Sequence, residues 1–335
     1  AAVTNGFAHI YHPVERVVYG LYSNRLIAKQ VDGVIMANRQ IRVNSCEFTS
    51  PIIVVIIGES ANRHHSQLYG YPLSTTPRQL ALMKGKDSLA VFTDVVSPWN
   101  LTSRVFKQIF SLQSVGVKGD WSNYTLFPAV FKKAGYHVSF LSNQFPYGIN
   151  YTPDWTNNLS GGFFLNHPQL NKQMFDYRNT NIHEYDEELL NDYKNIGIKE
   201  KSQLIIFHLL GQHFQYSLRC KSNMKRFGTN DYPCTDLTKE EKQTIADYDN
   251  ATLYNDYVLS KIIEQFKDKE AIVIYLSDHG EDCYGKDAQM AGRLTEAEQI
   301  DIKKYHEEFE IPFWIWCSTT YRRKHHKIFI ETLQA

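Results

Sequence analysis

Two apolar runs end abruptly on groups able to hold a metal ion. Gly58-Glu59-Ser60 closes Ile52-Ile53-Val54-Val55-Ile56-Ile57, and Ser277-Asp278-His279-Gly280-Glu281 closes Ala271-Ile272-Val273-Ile274-Tyr275-Leu276. Such a β-branched run reads as a strand buried on both faces, and the carboxyl ends of strands are where open parallel α/β sheets bind ligands. If the two strands are neighbours, Glu59, Asp278 and His279 converge. Carboxylate oxygens with an imidazole nitrogen form a donor set suited to zinc, and Gly280 permits the turn that lets adjacent Asp278 and His279 reach one ion. Taken singly, Glu59 reads as a solvated loop carboxylate and Asp278-His279 as a hydrogen-bonded strand end; their conjunction favours a site. Ser60 and Glu281 are further candidates for it.

A nucleophile is available in Ser97-Pro98-Trp99-Asn100-Leu101-Thr102-Ser103-Arg104. Apolar residues at 105, 106, 109 and 110 mark a helix whose amino end carries Thr102 and Ser103. Free backbone N–H groups and the helix dipole favour a phosphate there, although an isolated threonine at that position reads as a plain N-cap. A threonine hydroxyl needs a metal or a base to attack at neutral pH. Ser60 is a nucleophile on the same reasoning, or a turn-capping serine. In Phe207-His208-Leu209-Leu210-Gly211-Gln212-His213, His208 lies within the apolar run and reads as a satisfied core histidine. His213, beyond Gly211, faces the cleft as a phosphate ligand, a general acid or a second-metal ligand.

These groups need a scaffold that brings strand ends together. Strands are predicted at 52–58, 90–96, 136–141, 203–209, 271–277 and 311–317. Helices are predicted at 77–84, 103–113, 125–134, 183–196 and 241–267. The alternation points to a mostly parallel sheet covered by helices. Long loops at 143–182, 211–240 and 280–306 each follow a strand and should gather on the edge that carries Glu59 and Asp278; loops of such length are usually functional. Residues 1–48 form a lead-in of one or two amphipathic helices, suggested by apolar spacing between 13 and 42, and 49–335 form the catalytic domain.

The 335 residues carry equal numbers of basic and acidic groups, which argues against a general nucleic-acid binder. No apolar run is long enough to span a bilayer. The start Ala-Ala-Val reads as a processed or excised fragment. Cys220 and Cys234 flank a polar, basic loop and read as a loop-closing disulfide, which implies an oxidising compartment. Cys46, Cys283 and Cys317 read as buried free thiols.

Gly58-Glu59-Ser60, Leu68-Tyr69-Gly70-Tyr71, Thr75-Thr76-Pro77, the Thr102 segment, Gly211-Gln212-His213 and Ser277-Asp278-His279-Gly280-Glu281, in this order, resemble the bacterial phosphoethanolamine transferases. These modify lipid A or the lipopolysaccharide core and belong to the alkaline phosphatase/sulfatase-like superfamily. The resemblance implies an α/β/α sandwich with a mostly parallel central sheet. It also implies a monomeric periplasmic domain at the inner membrane, normally preceded by a bundle of transmembrane helices. On matching positions, Glu59, Thr102, Asp278 and His279 would hold a catalytic zinc ion. Thr102 rather than Ser60 would attack phosphatidylethanolamine, and a lipopolysaccharide acceptor would then take the phosphoethanolamine group from it. His213 would bind substrate phosphate or a second zinc. Many members carry a further histidine a short way beyond Asp-His-Gly-Glu; residues 282–293 hold none, which leaves His306 as the next candidate. The rival readings are a phosphodiesterase or sulfatase of the same superfamily and a non-catalytic binding domain. Ser97-Pro98-Trp99 does not supply the Cys/Ser-x-Pro-x-Arg context of a sulfatase nucleophile.

Overall fold

The computed structural model describes residues 13–84, 89–145, 147, 163–197, 201–285, 290–293 and 302–325. Its centre is strand β1 (Ile52–Gly58), in which Ile52, Val54, Ile56 and Ile57 are buried and Ile53 and Val55 half-buried. β1 pairs in parallel with β5 (Gln203–His208) on one side and β6 (Ala271–Ser277) on the other. The seven-stranded sheet has the order β2-β9-β6-β1-β5-β3-β4, with β2 at Leu89–Phe92, β3 at His137–Ser142, β4 at Tyr177–Arg178 and β9 at Phe313–Cys317, while β7 (Asp282–Cys283) and β8 (Ala291–Gly292) pair with each other outside it. Only β9 runs against its neighbours, antiparallel to both β6 and β2. The sheet is therefore mostly parallel, as the alternation predicts, and the carboxyl ends of β1, β3, β5 and β6 share one edge.

Each face of the sheet has its own core. On one, Val54, Ile56, Ile205, Phe207, Val273 and Trp314 pack beneath Tyr254, Val258, Leu259 and Ile262. The latter four belong to the 26-residue helix Lys239–Glu264, started by the Thr238/Glu241 capping box. On the other face Ile57, Val138, Phe140, Leu204 and Ile206 share a core with Ile27, Val31, Val34 and Ile35 of helix α1 (Pro13–Arg39), which packs against the turns at Trp121–Asn123 and Pro168–Met174. The same face meets helix α3 (Thr102–Phe110; α2 spans Pro77–Lys84) through Phe106 and Phe110. Both phenylalanines are fully buried, and truncating either to alanine costs about 3–5 kcal/mol. That packing fixes the axis of α3, and with it the position of Thr102 at its start.

The lead-in is one continuous helix rather than two, and only its second half packs on the core: Ile27, Val31, Val34 and Ile35 are buried, whereas Val18, Leu21, Tyr22 and Leu26 are exposed. Among the described residues no helix is long and apolar enough to cross a membrane. The loop expected at 143–182 is a loop only in part. Helical turns at Phe163–Asn166 and Pro168–Met174 bury Phe163, Phe164, Leu165, Leu170 and Met174 in the second core. Their apolar spacing outweighs the Asn and Pro content that suggested a surface segment. The expected Cys220–Cys234 bridge is corrected: all five cysteines are free thiols. Cys220 is buried at the edge of the first core, with Sγ on the Lys221 carbonyl, while Cys234 is exposed to solvent. Cys283 and Cys317 are buried and Cys46 half-buried.

Candidate active site

Strand register makes the site. Gly58 stands opposite Ser277 in the parallel β1–β6 pair, so the next residues, Glu59 and Asp278, emerge side by side. The Asp278 N–H donates to the Gly58 carbonyl (3.1 Å), which carries the pairing one step past the strands. Glu59, Asp278 and His279 are fully buried and form a group able to hold a metal ion. His279 Nε2 lies 3.3 Å from Glu59 Oε1 and 3.2 Å from Asp278 Oδ2. Thr102 Oγ1 completes the figure, 3.2 Å from His279 Nε2 and 3.2 Å from Glu59 Oε2.

These separations test whether zinc fits. A tetrahedral ion with N and O ligands at about 2.0–2.1 Å has donor–donor edges of about 3.3 Å, and the observed edges match. Asp278 Oδ2 is buried and accepts no hydrogen bond, although such a group normally finds a partner. His279 Nδ1 must donate to the Gly280 carbonyl at 2.7 Å, since a carbonyl only accepts, so Nε2 is the nitrogen turned to the cluster. Thr102 alone of the four is half-buried and faces the cleft, the open side a catalytic site requires.

The electrostatics are those of a site built for a cation. Burial opposes ionisation of Glu59, but the hydrogen bond and charge of His279, with help from His213 and Gln144, hold its carboxyl well below the usual range. Burial and the neighbouring Glu59 charge push Asp278 up to about 7. Burial also works against the charged form of His279, yet Asp278 and Glu59 raise its pKa. Two carboxylates this close, one forced toward its neutral form, need a positive partner.

Neighbouring groups hold the donors in place. Ser60, in the left-handed region at φ 56°, donates its hydroxyl to Glu59 Oε1 (2.9 Å) and its N–H to Asp278 Oδ1 (3.1 Å). It is fully buried behind the cluster rather than in the cleft. Gly211, at φ 50°, lays the His213 turn on the Glu59 backbone, where a Cβ would meet the Glu59 carbonyl oxygen at 2.8 Å. Asp186 accepts from the N–H groups of Leu210 and Gly211 and so anchors the same turn. Gln144 Nε2 donates to Glu59 Oε2 (3.0 Å) and to the Leu209 carbonyl (2.8 Å), and lies 3.1 Å from His208 Nε2. His208 is the core histidine its sequence context suggests: burial drives its pKa to about 3, and Ser142 Oγ holds Nδ1 at 2.9 Å.

A cleft of about 200 Å³ opens over Thr102, lined by Leu101, Ser103, Gln144, Phe145, His213 and Arg293. Residues from all three long loops thus reach one edge. His213 lines this cleft but lies outside the metal-binding group. Glu281 also stays outside it; its carboxylate takes the Tyr216 hydroxyl (2.6 Å) and pairs with Arg293 (3.0 Å). His306, on the helix Ile302–Phe309, packs edge-on against His64 at 4.9 Å and is not among these groups. Sequence reasoning missed Gln144 and Arg293. Gln144 was detectable as a polar residue just past a core strand, whereas Arg293, well past β6, carries no local signal.

The sulfatase family model matches residues 51–333. The chain belongs to the sulfatase family. Ser97, whose context departs from the sulfatase nucleophile pattern, is buried with its hydroxyl on the Asp278 and Trp99 carbonyls. Phosphoethanolamine transferase EptC of Escherichia coli strain K12 is 31% identical over 285 residues, covering 83% of this chain and 47% of that protein. The chain spans about half the length of the curated relatives it matches. The zinc complex of the C-terminal periplasmic domain of EptC from E. coli has a TM-score of 0.70 at 28% identity, covering 84% of this chain and 78% of that one. A member of the alkaline phosphatase superfamily from Vibrio parahaemolyticus, at 18% identity and a TM-score of 0.51, covers 87% of this chain and 69% of its own; the likeness shows the shared fold. This sulfatase-family domain has the alkaline phosphatase-like fold.

Proposed function

We propose that this domain transfers phosphoethanolamine from phosphatidylethanolamine to a hydroxyl or phosphate of lipopolysaccharide, on lipid A or a core sugar, through a covalent intermediate on Thr102. One observation carries the reading: Thr102 Oγ1 sits at a helix amino end, on the edge of a zinc-shaped donor set, with the cleft in front of it. The similarity to the E. coli transferase and to the zinc complex of its periplasmic domain supports it.

Glu59, Asp278, His279 and Thr102 would hold one zinc ion, which when bound makes the threonine hydroxyl more acidic and neutralises phosphoryl charge. Thr102 Oγ1 forms the new P–O bond as the P–O bond to diacylglycerol breaks. Its proton would pass to Glu59, whose Oε2 lies 3.2 Å away, and His213, on the wall of the cleft, would hand a proton to the departing oxygen. In the second step the acceptor oxygen attacks the same phosphorus and Thr102 is released. Backbone N–H groups at the start of α3 orient the phosphoryl oxygens. The domain would work as a monomer at the periplasmic face of the inner membrane, tethered by a preceding transmembrane region.

Intact-mass analysis after incubation with phosphatidylethanolamine tests the assignment. Wild type should gain one phosphoethanolamine and Thr102→Ala none; an adduct that persists on Ser60 would overturn it. The family match keeps a second reading in view, a phosphodiesterase releasing free phosphoethanolamine. Turnover of a soluble phosphoethanolamine ester that does not respond to acceptor would favour that hydrolase.

A further inference from the structure

We infer that Arg293 is a phosphate-binding residue that grips a non-bridging oxygen of the group being transferred, with Glu281 and Tyr216 as the residues that position it. The inference rests on the reading of Thr102 as the site of phosphoryl transfer.

Arg293 is held on two sides. Its Nε pairs with Glu281 Oε2 at 3.0 Å, and its Nη1 donates to the Asn100 carbonyl at 3.0 Å. Glu281 is buried, and the Tyr216 hydroxyl occupies its other oxygen at 2.6 Å, so the carboxylate is fixed in place. A guanidinium presents five N–H donors in a rigid plane. The contacts to Glu281, Asn100 and His279 engage Nε and Nη1, and Nη2 makes no hydrogen bond among the described residues, which leaves its donors for a ligand. The side chain keeps one-fifth of its surface exposed, and that surface lines the cleft shared with Thr102 and His213.

The distance suits one phosphoryl group. Thr102 Oγ1 and Arg293 Nη1 both touch His279 Nε2, at 3.2 and 2.5 Å, so they are no more than about 6 Å apart. Two P–O bonds and one charge-assisted hydrogen bond span that gap. A guanidinium there meets charge on an equatorial oxygen while leaving the in-line direction from Thr102 open. It also explains Glu281: the last acidic residue of Asp278-His279-Gly280-Glu281 serves the arginine rather than the metal.

The test compares Arg293→Ala, Arg293→Lys and Glu281→Gln in the zinc-loaded protein. It measures affinity for inorganic phosphate by calorimetry, kcat and KM on a soluble phosphoethanolamine ester, and zinc content by elemental analysis. Arg293→Ala should weaken phosphate binding and lower kcat/KM by about 10- to 100-fold with zinc content unchanged. Arg293→Lys should recover part of both. Glu281→Gln should show a smaller loss that disappears in the Arg293→Ala background, because it acts through the arginine. Phosphate affinity within twofold of wild type in Arg293→Ala, or a loss that only follows a loss of zinc, would overturn the assignment. The binding arm is independent of turnover. A wild type that binds phosphate through Arg293 but forms no Thr102 adduct would sink the transferase reading and leave the phosphate site standing.

Discussion

Gln144→Leu isolates the support given to a proposed metal ligand from the ligand itself. Gln144 Nε2 donates to Glu59 Oε2 at 3.0 Å, and Glu59 is fully buried, so its carboxylate loses a donor that the shorter, apolar leucine does not replace. A hydrogen bond to a charged acceptor contributes about 1.5–3 kcal/mol. At about 1.4 kcal/mol per factor of ten, its loss predicts a zinc affinity lower by about 10- to 150-fold, the scale on which groups supporting a metal ligand act. The effect runs through orientation of the carboxylate rather than its protonation, since Glu59 is held well below the usual range and Gln144 is the least of the groups that hold it there. Competition against a chromophoric zinc chelator near neutral pH measures the change, with the thermal midpoint as a check on folding. Ser142→Ala, whose hydroxyl lies against the far nitrogen of the His208 ring and accepts the backbone N–H groups of Gln144 and Phe145, leaves the Gln144 amide itself in place and should give a smaller decrease. A folded Gln144→Leu protein with zinc affinity within twofold of wild type would refute the claim that this amide orients Glu59.

Ser60→Ala should leave the phosphoethanolamine adduct on Thr102 and lower zinc affinity by about tenfold or less, since the buried hydroxyl only donates to Glu59; peptide mapping of the adduct checks it. Gly211→Ala should lose about 1–3 kcal/mol of stability together with zinc affinity, because the residue sits at φ 50° and its Cβ would press on the Glu59 backbone; melting curves and the same chelator assay read both. His65 is buried against Asp249 at 2.7 Å; burial disfavours its charge, but Asp249 more than offsets this and raises its pKa. The stabilisation is therefore complete below the unfolded value of about 6.5 and disappears as pH rises through the higher folded value. The Tm gap between wild type and His65→Gln should accordingly be widest near about pH 6 and narrow toward about pH 9.

Much of the scaffold was legible from local pattern. Apolar β-branched runs identified strands β1, β5 and β6, and the abrupt change to Glu59 or Asp278-His279 marked which strand ends carry chemistry. The spacing at 105, 106, 109 and 110 placed Thr102 at a helix start, which the structure has at Thr102–Phe110. These features are encoded within a few residues of one another, and periodicity is enough to read them. The disulfide expectation failed for the opposite reason. A polar loop between two cysteines says nothing of where each side chain goes, and Cys220 turns into the first core while Cys234 stays in solvent.

What the sequence alone determined is the donor chemistry: carboxylates, an imidazole and a threonine, each at the end of a strand or the start of a helix. Only the tertiary structure decided how they meet. The register of β1 against β6 sets Glu59 beside Asp278, the packing of Phe106 and Phe110 aims Thr102 at them, and the return of a loop past β6 brings Arg293 to the same cleft. Ser60, adjacent to Glu59 in the chain, is turned away behind the cluster, whereas Arg293, more than two hundred residues from Glu59, lies against His279. Contacts of that kind come from closing a sheet and covering its faces, and no local pattern of residue types specifies them.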